Sequence, residues 1–566
     1  MSDTVDTKAV LGGSIMSFFP LATARPSQRL VIEEIENRFS SGIKIVILEA
    51  PVGSGKSAIA MTFARRHAAN PSRISEEEGE EPPMPVHVLT PSKALQTQYH
   101  VDFPNDLVTM RGRASYPCTT DAKPREAAVV FRQVRAGNVT PPKFSEANCR
   151  DAPCQGSPAY YKSCVESNGH CPYTLAIEVA QESSVIVHNL HSFICQTNFS
   201  AKFKKRSLMI VDECHEIEGI VRDFAKKKFV IQKAISEEVV RSMSDLNVWI
   251  RFLTRPENVP EESDAERAKK LGDPAFKSLR DEYMDRVSFL ESKEETYKKG
   301  FSVEYEAGFK PGEAQQSSTI LEFVPKYVGA EAQRLILSYG ERILLMSGTI
   351  YDKAVFCRKL GINPADAAFI RIPSTFPVEN RPIYLKPQYQ VDTSFAKWNE
   401  NFGEMVEKVE TIMNIFKDDR GIIHAPSYMA GEQLANALGS RRILTHNKGN
   451  FLSTLHGFFE SETNQVLISP NISQGVDFKE DRARFQIVLR VPYMSTQSKF
   501  AEDMVQNSFQ DYNYEALVVF GQQCGRVNRS EDDYGATFLM DSRFQKFIMK
   551  NKNLLPQWLL KGMIYK

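Results

Sequence analysis

Short, almost uninterrupted apolar runs recur along the chain, each closed by Gly, Ser, Thr or Pro and followed by helical periodicity. The first half holds IVILEA (45–50), VHVLT (86–90), SVIVH (184–188) and LMIVDE (208–213). The second half adds ILLMSGT (343–349), GIIHAPS (421–427), QVLISP (465–470), FQIVLRVP (485–492) and ATFLMD (536–541). Runs that are apolar at nearly every position, rather than alternating, suit strands of a parallel sheet covered on both faces. Strand, loop and helix repeated at both ends of the chain predict an α/β protein with two separate sheets.

Two stretches break this rhythm. Residues 111–175 read as irregular. Residues 225–325 read as helical, with one stripe at Val239, Met243, Leu246, Ile250 and Leu253 and a second at Phe276, Leu279, Tyr283, Val287 and Leu290. Asp273 and Pro274 would supply the N-cap and first position of the second helix. Lys298, Lys299 and Gly300 would end it with a basic turn and a glycine. The acidic, proline-rich tract SEEEGEEPPMP (75–85) reads as a solvated surface loop.

Composition narrows the class. The 566 residues suggest about three to four domains, and 42% apolar with 25% charged residues is ordinary globular usage. Lys plus Arg equals Asp plus Glu, 70 against 70, so no overall field steers the chain to nucleic acid or anionic membrane; local stripes remain open to it. No apolar run reaches the roughly 18 residues of a membrane span, and MSDTVDTKAVLGG lacks the basic and apolar regions of a secretory signal. The expectation is a soluble intracellular protein. Nine cysteines are too few for a disulfide scaffold, yet five of them (Cys118, Cys149, Cys154, Cys164, Cys171) crowd one stretch.

The clearest chemistry lies in APVGSGKS (50–57), set between an apolar strand and a helix. Gly53 and Gly55, with Ser54 between them, would let backbone N–H groups converge on phosphate oxygens. Lys56 would reach the β- and γ-phosphates of ATP and Ser57 would ligate Mg²⁺, while the following helix directs its N-terminal dipole at the anion. Ala50 stands where the strict pattern begins with Gly. LMIVDECH (208–215) then places Asp212 and Glu213 at a strand's carboxyl end, Asp212 to hold Mg²⁺ through water and Glu213 to orient and deprotonate the attacking water. In QQCGRVNR (522–529), Arg526 and Arg529 lie three apart on one helix face, as arginines that close a hydrolysis site from a second domain would.

These motifs resemble, in order, those of the superfamily 2 helicases, and specifically the XPD/DinG family of iron–sulfur DNA helicases. RPSQ (25–28) resembles the adenine-side glutamine motif through Gln28, APVGSGKS motif I, and TPSKALQTQ (90–98) motif Ia. DECH resembles the DEAH box, MSGTI (346–350) motif III and HAPSY (424–428) motif IV. ISQGVDF (472–478), with Asp477, and VLRVPY (488–493) resemble motif V, and QQCGRVNR, with Gln522, resembles motif VI. Cys214 replaces the usual alanine and Gln474 a frequent glutamate. Nothing before the core reads as an exonuclease domain.

The resemblance implies two RecA-like parallel-sheet motor domains, the first carrying a cysteine-rich Fe–S insertion and a helical arch. Motor domain 1 would occupy 1–110, 176–224 and 326–375, the Fe–S domain 111–175, the arch 225–325 and motor domain 2 residues 376–566. Spacing of the cysteines, with gaps of 30, four, nine and six residues, does not choose zinc over iron. GRASYPC (112–118) and HCPYTLA (170–176) resemble the family's first and last ligand segments, which implies a [4Fe–4S] cluster. The expected ligands are Cys118, Cys154, Cys164 and Cys171, with Cys149 the spare and first alternate; Cys195, Cys357 and Cys524 read as packing residues.

The activity so implied is ATP-dependent 5′-to-3′ translocation on single-stranded DNA with unwinding of forked duplexes, by a monomeric motor in the cytoplasm of a bacterial or phage-infected cell. ATP would sit between the motor domains, contacting Gln28 and motif I on one side and motif VI on the other. The basic runs KFKKR (202–206) and KKK (226–228) could line the strand's path or be solvated charge. Two alternatives stay open: an ATP-gated nucleic-acid clamp without processive unwinding, and a helicase of RNA or RNA–DNA hybrids.

Overall fold

The computed structural model describes residues 14–51, 53–69, 86–120, 124–137, 148–150, 152, 171–272, 276–309, 316–461, 463–470, 472, 478, 480–528, 530 and 532–565. In chain order, the first strands are β1 (Ile45–Glu49), β2 (Val86–Thr90), β3 (Val108–Met110), β4 (Val185–Asn189) and β5 (Arg206–Asp212). Next come β6 (Lys227–Ile231), β7 (Phe301–Phe309), β8 (Gln316–Pro325), β9 (Gly340–Ser347) and β10 (Ala367–Arg371). The remaining strands are β11 (Ile383–Tyr384), β12 (Gly421–His424), β13 (Ile443–Leu444), β14 (Val466–Ser469), β15 (Phe485–Val488), β16 (Ala536–Leu539) and β17 (Met563–Ile564).

These strands build two seven-stranded sheets, ordered β10-β1-β9-β5-β2-β4-β3 and β13-β14-β12-β15-β16-β11-β17. Every pairing within both is parallel, and helices cover the faces, which is the architecture of two RecA-like domains. All nine apolar runs are strands of these sheets. Their continuity follows from burial on both faces: Val46 and Leu48 of β1 pack with Ile32, Ile59 and Phe63, while Ile47 between them packs with Met209, Ile217 and Leu335 on the other side. Each such side chain contributes about 1.5–3 kcal/mol on leaving water. The chain passes from the first sheet to the second between Arg371 and Ile383.

The segment 225–325 corrects the wholly helical expectation. It contains helices Glu237–Ser242, Leu246–Leu253, Asp264–Gly272, Leu279–Ser292 and Glu294–Lys298, but also an antiparallel sheet, β6-β8-β7. In β8, Thr319, Leu321 and Phe323 point inward while Ile320 and Glu322 point away, a two-residue period easily lost among the polar positions. Phe229, Trp249, Tyr283 and Leu290 complete that core. The first stripe is also two helices, because the Asp245 carboxylate accepts from the N–H groups of Asn247 and Val248 and starts a new one. Val240, not Val239, is buried there. The second helix begins at Leu279, which is 63% exposed, with Ser278 as N-cap; Asp273 and Pro274 lie outside the described residues. Gly300, at φ +125°, follows the short helix Glu294–Lys298 and turns the chain into β7.

The cysteine-bearing stretch includes one amphipathic helix, Pro124–Arg135, whose Val130 and Val134 pack with Met110, Tyr116, Cys149 and Tyr173. The acidic tract 75–85 lies outside the described residues. Among the described residues, no helix is long and apolar enough to cross a membrane.

Candidate active site

The phosphate-type loop leaves β1 at Glu49 and enters helix Lys56–Ala69. Gly53 and Gly55 take φ of +76° and +81°, which L side chains rarely adopt. A Cβ on Gly55 would lie 2.1 Å from Gln28 Nε2. Gln28, at the start of helix Pro26–Ser40, donates through Nε2 to Ser54 O (3.1 Å) and accepts from Arg25 N–H at Oε1 (2.9 Å), while Arg25 Nη1 donates to Gly53 O (2.7 Å). Gln28 is placed as a brace for the loop.

Strand β5 delivers the carboxylates beside it. Asp212 is buried, and its Oδ2 accepts from the Tyr99 hydroxyl at 3.0 Å. That hydroxyl also hydrogen-bonds with the Ser57 side chain, so the two expected Mg²⁺ ligands meet at one phenol. Tyr99 had no signal in the sequence beyond an aromatic one residue past TPSKALQTQ. Glu213 takes the left-handed region at φ +53°, a strain of the order of 1–3 kcal/mol that recurs at functional sites. Its Oε1 lies 3.3 Å from Lys56 Nζ.

The electrostatics separate the pair. Burial, and then the Glu213 charge, push the Asp212 carboxyl up to about 6. Burial also pushes Glu213 up, but Lys56, His215 and Arg526 together outweigh it and hold Glu213 below the usual carboxylate range. Burial disfavours a charged His215, yet Glu216 and Glu213 leave it above its ordinary value. Two carboxyls with opposed environments, one raised by burial and the other held low by its basic neighbours, suit a metal-side and water-side division of labour.

A chain of polar contacts runs from this pair to the second sheet. Because β5 pairs with β9, Asp212 stands opposite Met346 and Ser347 comes alongside. His215 Nδ1 lies 3.4 Å from Glu213 Oε2 and 2.7 Å from Ser347 Oγ. Ser347 Oγ accepts from Thr349 N–H (3.2 Å), and Thr349 Oγ1 accepts from Gln522 Nε2 (2.8 Å). Gln522 belongs to helix Phe509–Cys524 of the second domain, and Arg526 follows it, buried. The domains touch here, and Pro51, Glu213, Thr349, Gln522 and Asn528 line a cavity of about 30 Å³ between them. Arg529, Asp477 and Gln474 lie outside the described residues.

Among the described residues, two of the five clustered cysteines meet closely. Cys149, named as the spare, has its Sγ 3.9 Å from that of Cys171. The pairing of Cys149 N–H with Tyr116 O (2.8 Å) brings it beside Cys118. Cys171 is the N-cap of helix Pro172–Glu182. The hydrogen bond with Cys149, aided by N–H groups of Thr174 and Tyr173, overcomes burial and brings the Cys171 thiol down to about 6. Cys154 and Cys164 lie outside the described residues, and among those described no group of three or more His, Cys, Asp or Glu is placed to hold a metal ion. Cys357 and Cys524 are buried as expected; Cys195 is exposed, at the start of a π turn, Cys195–Phe199.

The basic runs are partly structural. Arg206 is buried and donates to the carbonyls of Val86, Ser183 and Ala180. Lys227 sits 3.9 Å over the Phe289 ring, and Lys226 pairs with Asp223 at 3.1 Å. Lys202, Lys204 and Lys205 are exposed.

Known proteins match this arrangement. The family model described as Helicase C-terminal domain matches residues 409–562, and that described as Type III restriction enzyme, res subunit, matches residues 21–238. The chain is 25% identical over 254 residues to the General transcription and DNA repair factor IIH helicase subunit XPD of Dictyostelium discoideum, covering 38% of this chain and 32% of that protein. The match therefore spans about a third of that relative's length. A solved structure titled XPD helicase superposes with a TM-score of 0.57 at 15% identity, covering 96% of this chain and 100% of the other. S. tokodaii Xpd4 gives 0.52 at 13%, with the same coverage. With motifs I, II, III and VI gathered between two parallel sheets, these matches at both ends support an XPD/DinG-like superfamily 2 helicase.

Proposed function

We propose that the chain is an ATP-driven DNA helicase that moves 5′ to 3′ on single-stranded DNA and unwinds forked duplexes, with a structural [4Fe–4S] cluster. The observation that carries the ATP-driven part is the continuous contact from Glu213 through His215, Ser347 and Thr349 to Gln522, with Arg526 acting on Glu213 from the other domain. Polarity, DNA rather than RNA, and the cluster rest on the family resemblance.

In this reading the backbone of Gly53, Ser54 and Gly55 cradles the phosphates, and Lys56 exchanges its Glu213 partner for them. Glu213, left ionised and freed from Lys56, orients the attacking water and accepts its proton. Arg526 and Arg529 meet the developing negative charge on the phosphoryl oxygens. A cavity of about 30 Å³ holds about one water, so nucleotide binding parts the sheets and closure reassembles the Thr349–Gln522 contact. Cyclic parting and closure would move a strand gripped alternately by the two domains.

The Ser57 hydroxyl and Asp212 carboxylate, brought to one phenol, are hard oxygen donors that fit Mg²⁺. When bound, the ion would neutralise charge between the phosphates. The thiols present suit a cluster as well: Cys171 is biased to thiolate at a helix N-terminus with Cys149 beside it, and Cys118 acts on Cys149. This favours Cys149 as a ligand beside Cys118 and Cys171, with the fourth from Cys154 or Cys164. When bound, the cluster would tie these loops together.

The test is strand displacement by anaerobically purified protein on duplexes carrying one 5′ or one 3′ tail, with Lys56→Ala as control. Opening of the 5′-tailed DNA alone, lost in the control, is the expected result. Opening only of the 3′-tailed DNA overturns the polarity. ATP hydrolysis without opening of either overturns unwinding of DNA and favours a clamp or an RNA substrate.

A further inference from the structure

Away from the phosphate loop, one lysine joins three elements of the motor. Lys359 ends helix Lys353–Lys359, which follows Ser347–Thr349. Its side chain is 7% exposed. Nζ lies 2.6 Å from Glu218 Oε2, on helix Ile217–Ala225 directly after the Asp212–Glu213 pair. It also hydrogen-bonds with Glu515, on the second-domain helix whose last turn carries Gln522. Around it, Arg222 pairs with Glu218, Arg358 with Asp511, and Tyr514 donates to Ile350 O at 2.8 Å.

We propose that Lys359 is a positioning residue, whose ion pair with Glu515 couples closure of the two sheets to the alignment of Gln522 and Arg526 over Glu213. The inference rests on the ATP-driven reading above and adds to it the element that senses closure. Charge balance is the physical reason. On the first-domain side, Glu218 faces both Lys359 and Arg222, which leaves one positive charge in excess. Glu515 arrives only from the second domain and removes the excess. A buried charge cluster of this kind is poor at adding stability, because desolvation offsets the attraction, but it strongly penalises a half-assembled state. A merely adhesive contact would need no charge, since Val355, Tyr514 and Val518 already provide an apolar one nearby.

The experiment measures steady-state ATP hydrolysis with a single-stranded oligonucleotide present, for Glu515→Gln, Glu515→Asp and Lys359→Met, alongside thermal unfolding. Glu515→Gln keeps the shape and leaves Lys359 paired with Glu218, so it remains informative if Lys359→Met fails to fold. The expected result is a kcat about tenfold lower for Glu515→Gln with KM for ATP within about twofold, and substantial recovery in Glu515→Asp. An unchanged kcat in Glu515→Gln, or equal losses in the Gln and Asp variants, overturns the proposal while leaving the ATPase reading intact. Wild-type protein without ATP hydrolysis overturns both.

Discussion

The Tyr99 hydroxyl donates a 3.0 Å hydrogen bond to Asp212 Oδ2 from a helix, Lys93–Asp102, that carries none of the phosphate-loop or DECH residues. An outer group that fixes a metal-side carboxylate typically contributes 10–100-fold to metal affinity. Tyr99→Phe should therefore raise the Mg²⁺ concentration for half-maximal ATP hydrolysis by about tenfold. A Mg²⁺ titration of ATPase rate, at saturating ATP, checks this; an unshifted curve would show that Asp212 needs no such support.

Gly55 has both a left-handed backbone and Gln28 Nε2 where a side chain would go. Gly55→Ala should cost about 1–3 kcal/mol of stability and weaken nucleotide binding, because the loop and its brace cannot both keep their positions. Gln28→Ala should recover only the steric part, since φ stays unfavourable. Thermal unfolding and fluorescent-nucleotide binding of the two single variants and the double variant separate these contributions.

Buried histidines, His188 among them, set an acid limit on the fold. Burial, with nearby arginines, lowers His67 to about 4, His87 to about 3 and His424 to about 4, from 6.5 in the unfolded chain. Their folded values are depressed, so protons bind the unfolded state first. Their contribution is complete above pH 6.5 and is lost as pH falls through 6.5 towards 4 and 3. Each adds about 1.4 kcal/mol per pH unit to the slope within that window. Urea unfolding between pH 7 and 5 should show that slope reduced by about one such increment in His87→Gln.

The proximity of Cys149 to Cys171 bears on the proposed cluster. Cys118→Ala, Cys149→Ala and Cys171→Ala should each lower the iron bound per chain after anaerobic purification, while Cys195→Ala should leave it unchanged. Full iron in Cys149→Ala would return that residue to the role of spare. Zinc in place of iron in the wild-type protein would replace the cluster itself.

How much of this was legible beforehand depends on range. Strands such as IVILE and LMIVD announce themselves because both faces of a parallel sheet are buried, so nearly every residue is apolar. Gly53, Gly55 and Lys56 announce the phosphate loop because its backbone demands those residue types at that spacing. β8 stayed hidden, since its sheet packs on one face, and ILEFVP does not by itself separate the inward Leu321 and Phe323 from their apolar neighbours. The break between Glu237–Ser242 and Leu246–Leu253 stayed hidden too, because Asp245 caps a helix through backbone N–H groups that no side-chain stripe reports.

Local pattern along the chain thus carried the fold class, the two sheets and the loop that faces phosphate, all of which follow from neighbours within a few residues. It was silent on Tyr99 beside Asp212, on Glu515 beside Lys359 and on Cys149 beside Cys171. Those partners are 113, 156 and 22 residues apart. They meet only once the strands are ordered, the sheets closed and the cysteine loops folded back. Their energies come from burial and charge in the assembled interior, and an extended chain in water has neither.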